Sequence, residues 1–273
     1  MSRLSVSIVV FRSDLDLLAQ VVSALGAACR FATASGLESC DLDIVDNDSG
    51  GRDRDALAAI VAAADAGAIR ATLVRSTVNG GYGAGNNLSI RRHASLDLHL
   101  VLNPDVLLAE DALAAALRYF ASNPDVGLVT PQVRGFDGSL QYLCKRHPTL
   151  LDMFLRSVGL ASLNRLFARR LGLLEMRDQD YRQTIRPIPY PTGCFMLFRH
   201  SVLAILRGFD EGYFLHYEDA DIGRQVEQVS QTAYVPDVLV HHKWTRGSHR
   251  HWRMRWITIC SGLRYWRKWG GVW

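Results

Sequence analysis

Residues 5–11 read SVSIVVF and residues 42–49 read LDIVDNDS. Each is a short apolar, β-branched run, the reading for a buried strand, and the second ends in a cluster of polar residues. Between them Leu15 to Ala28 carries apolar residues at helical spacing, and an Ala-rich helix is expected from Arg54 to Ala66. Alternation of strand and helix is the rhythm of a sheet covered by helices. It continues outward with a third strand at Ala71–Arg75, a helix after the glycine-rich VNGGYGAGNN (78–87), and the strand LHLVLNPD (98–105). A helix at Ala109–Ala121 follows, opened by Glu110 and Asp111, whose charges suit a helix N-terminus. Sheets of this kind bind ligands beyond the carboxyl ends of their strands. The polar clusters at Asp46–Ser49, Asn79–Asn87 and Asn103–Asp105 all occupy that position, so three loops are expected to converge on one site.

The second half is less regular. Val126–Val133 reads as a strand, Cys144–Arg177 as a helical and basic segment, and Pro191–Arg199 as a short strand entered through Thr192-Gly193. A helix is expected from near Glu218 and a last strand over Gln231–His242.

Composition bounds the function classes. The 273 residues are 48% hydrophobic and 21% charged, with 22 Gly and 8 Pro, which excludes a disordered or fibrous chain and provides for a real core. No apolar run approaches the roughly 18 residues of a spanning helix, and Met1-Ser2-Arg3 leads straight into the first strand without a signal-peptide pattern, so a cytoplasmic location is expected. Five scattered cysteines without a CxxC argue for reduced, packed thiols over a disulfide framework or zinc site. Charge is asymmetric: from His241 onward there are eight Lys or Arg, no acid and all six tryptophans, whereas residues 1–240 hold 23 basic against 27 acidic side chains. A basic, Trp-rich end on a slightly acidic body points to contact with something anionic and partly apolar.

Four local patterns carry candidate chemistry. In the glycine-rich loop the G-x-G-x-x-G spacing from Gly81 ends on Asn86, it follows the third strand and not the first, and no Walker Lys-Ser/Thr follows. The loop therefore reads either as backbone approaching a nucleotide or sugar or as a flexible turn. Asp105, in Asn103-Pro104-Asp105, would either offer an oxygen to Mg²⁺ or Mn²⁺ or cap the following turn. Glu218-Asp219-Ala220-Asp221 follows the aromatic run Tyr213–Tyr217 and reads as acids on a helix's first turn or as a carboxylate base beside aromatic walls, with Arg224 able to reach an anionic substrate group. His241 and His242 end the last strand as structural residues or metal ligands.

In order along the chain, SIVVF, VDNDS, VNGGYGAGNN, LVLNPDV, PTGCFMLFR, GFDEGYFLHYEDADIGR and VPDVLVHHKW resemble the inverting glycosyltransferases of family 2, over roughly residues 5–245. The NPD, GFDEGYF and EDADIGR patterns look most like the rhamnosyltransferase branch that builds bacterial O-antigen and other surface polysaccharides from dTDP-L-rhamnose. The resemblance implies an α/β GT-A fold, a single Rossmann-like domain with a mixed sheet, divided into a nucleotide-binding half (about 1–125) and an acceptor half (about 126–245). It places Phe11, Arg12, Asp46, Asn79, Gly81, Gly83, Asn86, Asn103 and Arg224 at the donor, Asp105 and His241 on a divalent cation with His242 as the competing choice, and Asp219 as catalytic base. Thr192, Gly193 and Glu218 fall on the acceptor side. Asn103 stands where the family's D-x-D has its first carboxylate, which weakens the expected metal site. The chemistry asks for a cation and positive side chains at the leaving diphosphate and a carboxylate to take the acceptor proton.

The tail, 246–273, is expected to be an amphipathic helix from about Arg250 to Lys268. Trp252, Trp256, Ile259, Leu263 and Trp266 recur at spacings of 4, 3, 4 and 3, while Arg250, Arg253, Arg264, Arg267 and Lys268 fall largely to one side. The pattern resembles an interfacial helix on the inner face of the cytoplasmic membrane, suited to a lipid-linked saccharide acceptor, with no nucleic acid partner expected. A terminal helix packed on the body is the other reading of the tail. The competing functions are nucleotidyl transfer to a sugar phosphate and a non-catalytic basic binding protein.

Overall fold

The computed structural model describes residues 1–51, 53–65, 69–158, 161–243 and 252–270. The strands are β1 (Ser2–Val10), β2 (Leu37–Asp46), β3 (Arg70–Arg75), β4 (Leu98–Leu102), β5 (Val106–Leu108), β6 (Val126–Arg134), β7 (Phe195–Arg199) and β8 (Gln231–His242). The helices are α1 (Leu15–Ala32), α2 (Arg54–Asp65), α3 (Tyr82–Arg92), α4 (Ala112–Ser122), α5 (Leu150–Val158), α6 (Ala161–Leu166), α7 (Ala168–Leu174), α8 (His200–Leu206), α9 (Glu218–Val226) and α10 (Trp252–Trp269).

All eight strands form one sheet in the order β3-β2-β1-β4-β7-β6-β8-β5. β3, β2, β1 and β4 run parallel, β7 is antiparallel to both β4 and β6, β8 is parallel to β6, and β5 closes the edge antiparallel to β8. The polar loops after β1, β2, β3 and β4 thus leave one side of the sheet, as the alternation of elements implies.

Local chemistry explains the principal elements. Asp14 caps α1 by accepting from the Leu17 N–H at 3.1 Å, and Leu18, Val21, Leu25, Ala28 and Ala32 place one stripe against the sheet residues Val6, Ile8, Ile44 and Leu100. The segment Leu15–Ser35 has a mean hydropathy of 1.4 and is long and apolar enough to cross a membrane, contrary to the reading of the sequence; half of it is buried within the protein, where it serves as a core helix. In contrast α3 is built from weak helix formers, and its glycines exist for close approach. A Cβ at Gly85 would meet Val9 Cγ1 at 2.8 Å, and one at Gly83 would meet Phe209 Cβ at 2.9 Å.

One expectation is corrected, two elements are added and three expected boundaries stay outside the described residues. Cys144–Arg177 is helical only in the three short helices α5, α6 and α7, and Lys145 instead bridges to Tyr190 as extended chain. β5 and α8 have no counterpart in the reading of the sequence, being only three and seven residues long. Ala66 and Arg250, expected helix ends, lie outside the described residues, as does the expected division between 245 and 246.

Candidate active site

The three expected loops do converge, through side-chain amides and one tyrosine. Asn47 Nδ2 donates to Asn79 Oδ1 and to the Gly81 carbonyl, both at 3.0 Å. Asn79 Oδ1 also accepts from the Gly81 N–H at 3.1 Å. Gly81 starts α3 with φ of +94°, a conformation that favours glycine, and a Cβ there would lie 2.1 Å from the Phe214 carbonyl oxygen. That carbonyl accepts from the Tyr82 N–H at 3.0 Å, so the glycine-rich loop is fastened to the aromatic run before α9. The Tyr82 hydroxyl lies 2.8 Å from Asn103 Oδ1 and 2.9 Å from the Gly193 carbonyl oxygen. Burial, followed by the charge of Glu218, pushes the Tyr82 phenol well above its ordinary pKa, so it remains a neutral hydrogen-bonding hub.

Asp219 is the carboxylate at the centre of this arrangement. Its Oδ2 accepts from the Gly193 N–H at 3.2 Å and its Oδ1 from the Ala220 N–H at 2.9 Å. A side chain at 193 would intrude, since a Cβ would lie 3.0 Å from Oδ2. The turn into α9 is strained: His216 and Tyr217 both take left-handed φ values, +69° and +67°, which for non-glycine residues costs roughly 1–3 kcal/mol each. Glu218 is buried and its Oε2 has no hydrogen-bond partner. Burial, then the neighbouring Asp219 charge, raises its pKa well above the usual carboxylate range, which favours its protonated form beside Asp219.

The other carboxylate is Asp105. β5 pairs with β8 so that Val106 lies opposite His242 and Leu107 opposite His241. The result brings His242 Nε2 to 3.4 Å from Asp105 Oδ2, while strand alternation turns His241 to the other face. Asp105 is therefore faced by His242, the competing choice, and not by His241. Asp105 Oδ1 and His242 Nδ1 are both buried without a hydrogen-bond partner. An orphaned carboxylate oxygen beside an imidazole fits a Mg²⁺ or Mn²⁺ ion that draws its remaining ligands from substrate phosphates and water. Among the described residues no group of three or more His, Cys, Asp or Glu could hold a metal by itself. The two carboxylates belong to one region. The Cys194 thiol, raised to about 12 mainly by burial, is also pushed up by the charges of both Asp105 and Asp219.

Around the β1 and β2 loops, Arg12, Ser13, Ser49, Gly50 and Asp53 line a cavity of about 310 Å³. Phe11 is exposed, with the Arg12 guanidinium 5.1 Å from its ring centroid. Asp46 Oδ1 accepts from the Ser49 N–H at 2.9 Å, and Ser49 Oγ accepts from the Arg12 N–H at 3.3 Å. The first two loops thus form a single wall.

Several residues expected at the donor or the acceptor are engaged by other side chains of the protein. Asn86 is fully buried, accepting from Ser7 Oγ at 2.6 Å. Gly83 packs against Phe209. Arg224 stacks its guanidinium 4.9 Å over the Trp269 ring of α10. Asn103 faces the Tyr82 hydroxyl. Thr192 is buried within hydrogen-bond distance of Cys194 Sγ, at 3.2 Å, and acts on the site through its neighbour Gly193. Sequence reasoning missed Tyr82 and Cys194; a lone tyrosine inside a glycine-rich loop is the signal that could have exposed the first.

α10 is docked through one face. Ser261 Oγ donates to the Leu215 carbonyl at 2.9 Å, Tyr265 packs 5.7 Å from the Tyr217 ring, and Lys268 Nζ and Trp269 Nε1 donate to the wholly buried Asp221 at 2.8 and 2.6 Å. Arg264 donates to Asp210 at 2.7 Å while staying exposed, and Trp266 is half-buried with its indole nitrogen covered, so these two expected lipid contacts are partly engaged by the protein. Trp252 and Trp256 remain 81% and 62% exposed, with Arg253 exposed beside them.

The sequence model of a family described as glycosyltransferase-like family 2 matches residues 4–257. Over 183 residues the chain is 27% identical to N-acetylglucosaminyl-diphospho-decaprenol L-rhamnosyltransferase of Mycobacterium tuberculosis, covering 63% of this chain and 58% of that protein. It is 28% identical over 152 residues to rhamnosyltransferase WbbL of Escherichia coli K12, covering 52% of each. The chain thus spans a little over half the length of the curated relatives it matches. Among solved structures, the mannosyltransferase PcManGT from Pyrobaculum calidifontis, in complex with GDP-Man and Mn²⁺, superposes with a TM-score of 0.64 at 18% identity, covering 99% of this chain and 66% of that one. TarS residues 1–349 from S. aureus, in complex with UDP-GlcNAc, gives 0.59 at 14% identity, covering 90% and 60%. The architecture is the GT-A fold.

Proposed function

The chain belongs to the glycosyltransferase-like family 2, and from that premise we propose that it moves a sugar, with inversion, from a nucleotide-sugar donor to a hydroxyl of a lipid-linked saccharide. L-rhamnose from dTDP-L-rhamnose is the donor this reading assigns, supported by the two rhamnosyltransferases it is similar to. The acceptor would be a polyprenyl-diphosphate saccharide at the inner face of the cytoplasmic membrane, in synthesis of a surface polysaccharide of the O-antigen type.

The observation that carries this reading is two carboxylates with different surroundings in one region, Asp219 held by backbone N–H donors and Asp105 facing His242. Asp219 takes the proton of the acceptor hydroxyl as that oxygen bonds to the anomeric carbon, and the bond from that carbon to the diphosphate breaks. The Gly193 and Ala220 N–H groups keep its carboxylate aimed. The burial that raises the pKa of Glu218 disfavours a second negative charge beside Asp219. Asp105 and His242 would hold the divalent cation, which supplies positive charge against the leaving diphosphate. The wall formed by Phe11, Arg12, Asp46 and Ser49 receives the nucleoside.

The test is a screen of nucleotide sugars for release of nucleoside diphosphate, run with detergent-solubilised polyprenyl-diphosphate saccharides and added Mg²⁺ or Mn²⁺. dTDP release from dTDP-L-rhamnose with glycosylated product is expected, and Asp219→Asn should keep donor binding while losing about 10²–10⁴ in rate. Release of pyrophosphate from a nucleoside triphosphate would overturn the assignment in favour of nucleotidyl transfer.

A further inference from the structure

The open side of α10 is continuous in character with a second exposed apolar surface, on the helical segment between β6 and β7. On α10 the docked face, Thr258, Ser261, Gly262 and Tyr265, leaves Trp252, Trp256, Ile259 and Leu263 exposed at 81, 62, 41 and 46%. α5 packs on this helix, with Met153 joining the cluster of Tyr213, Tyr217 and Tyr265. α5 itself buries Asp152 and Leu155 but leaves Leu151 and Phe154 exposed. α7 is tied to α5 by Arg170, which donates to Asp152 Oδ1 at 2.6 Å and to Thr149 Oγ1 at 2.7 Å. Leu166 on α6 and Leu173 on α7 add two more exposed apolar side chains.

Charge identifies what covers this surface. α10 contains no acid, and the sole acid between Leu150 and Leu174 is Asp152, already bound by Arg170. The same helices carry the exposed arginines Arg165, Arg169, Arg253, Arg255 and Arg267. Exposed apolar side chains, exposed cations and no exposed acid on either limb match an anionic phospholipid surface. A protein partner would be met equally well by mixed charge.

We propose that α5–α7 and α10 together form a two-limbed surface that seats the protein on an anionic bilayer, with the acceptor side of the site next to it. The second part rests on the lipid-linked acceptor assigned above. The geometry supports it: Leu215 and Tyr217, just before Glu218 and Asp219, rest on the docked face of α10, so the catalytic turn stands about one helix diameter, roughly 10 Å, from the lipid-facing side. A diphosphate at headgroup level would present its sugar across that distance.

The experiment is vesicle flotation of the whole chain, without donor or acceptor, on phosphatidylglycerol/phosphatidylethanolamine and on phosphatidylcholine vesicles. Binding to the anionic vesicles, weakened by 0.5 M salt, is expected. Leu151→Ser with Phe154→Ser on α5, and Trp252→Ser with Trp256→Ser on α10, should each lower the partition at least about tenfold, with unchanged melting temperature and unchanged turnover on a short soluble acceptor. Parental binding by the α5 pair would overturn the two-limbed surface. Concentration-dependent dimers abolished by either pair, without vesicle binding, would overturn it in favour of a second copy. Neither result touches the transferase reading, which the soluble acceptor reports separately.

Discussion

The Gly193 N–H donates to Asp219 Oδ2 at 3.2 Å, and a Cβ on residue 193 would lie 3.0 Å from that same oxygen. The β7 entry loop and the first turn of α9 are therefore fitted to each other with no room for a side chain. Replacing Gly193 by alanine should push the carboxylate aside by a few tenths of an ångström. Turnover is expected to fall at least about tenfold with donor affinity unchanged, because the wall proposed to receive the nucleoside lies on other loops; a shift in donor affinity alone would contradict it.

Asp105 and His242 should act as a pair toward the cation. Asp105→Ala and His242→Ala are each expected to weaken Mn²⁺-dependent nucleotide binding by at least about tenfold, measured by calorimetry, while His241→Ala leaves it within about twofold. The opposite ranking of the two histidines would mean that the register of β5 on β8 is not what sets the ligand.

Gly81→Ala places a Cβ 2.1 Å from the Phe214 carbonyl oxygen at a φ of +94°. Backbone strain alone costs roughly 1–3 kcal/mol, and the clash adds to it. A melting temperature lower by several degrees is expected, with parallel loss of turnover since the same contact fastens the aromatic run before Asp219. A variant melting like the parent would refute the close contact.

His99 is wholly buried between Ser5 Oγ at 2.8 Å and Ser7 Oγ at 3.0 Å. Burial, then the neighbouring His200, lowers its pKa from 6.5 to about 3. In that window the unfolded chain binds a proton that the folded chain refuses, so stability is full above about pH 6.5 and falls as pH drops toward 3, by up to about 1.4 kcal/mol per pH unit. Urea midpoints at about pH 7 and pH 5 should differ accordingly, and His99→Gln should flatten the slope. An unchanged slope would locate the acid sensitivity elsewhere, for example at His200, which burial also lowers.

Trp269 Nε1 and Lys268 Nζ supply two of the donors on the wholly buried Asp221. Trp269→Phe leaves Asp221 Oδ1 only the longer hydrogen bond from the Tyr213 hydroxyl, at 3.3 Å, and replaces the ring beneath Arg224 with a smaller one, an expected loss of about 1–3 kcal/mol by denaturant titration. Proteolysis of α10 should accelerate with it, whereas Trp252→Phe on the exposed end should change neither.

The sequence alone determined the alternation of strands and helices, the convergence of the loops at Asp46, Asn79 and Asn103, and the helix that begins at Glu218, because strand period, helix period and turn chemistry are carried by neighbouring residues. Tertiary structure decided which side chains turn toward the site. His242 rather than His241 meets Asp105 because a three-residue strand fixes the register on β8, and a register is a relation between distant segments. Asn86 and Arg224 are polar residues in site motifs whose partners, Ser7 and Trp269, lie 79 and 45 positions away, so their local surroundings carried no sign that they were already engaged. In the tail the spacing of Trp252, Trp256, Ile259 and Leu263 fixed one exposed apolar stripe, but only the packing of Tyr265, Lys268 and Trp269 against α9 and the turn before it revealed that the same helix has a second, buried face. A helix can satisfy two partners at once, and periodicity reports the faces without saying what covers each.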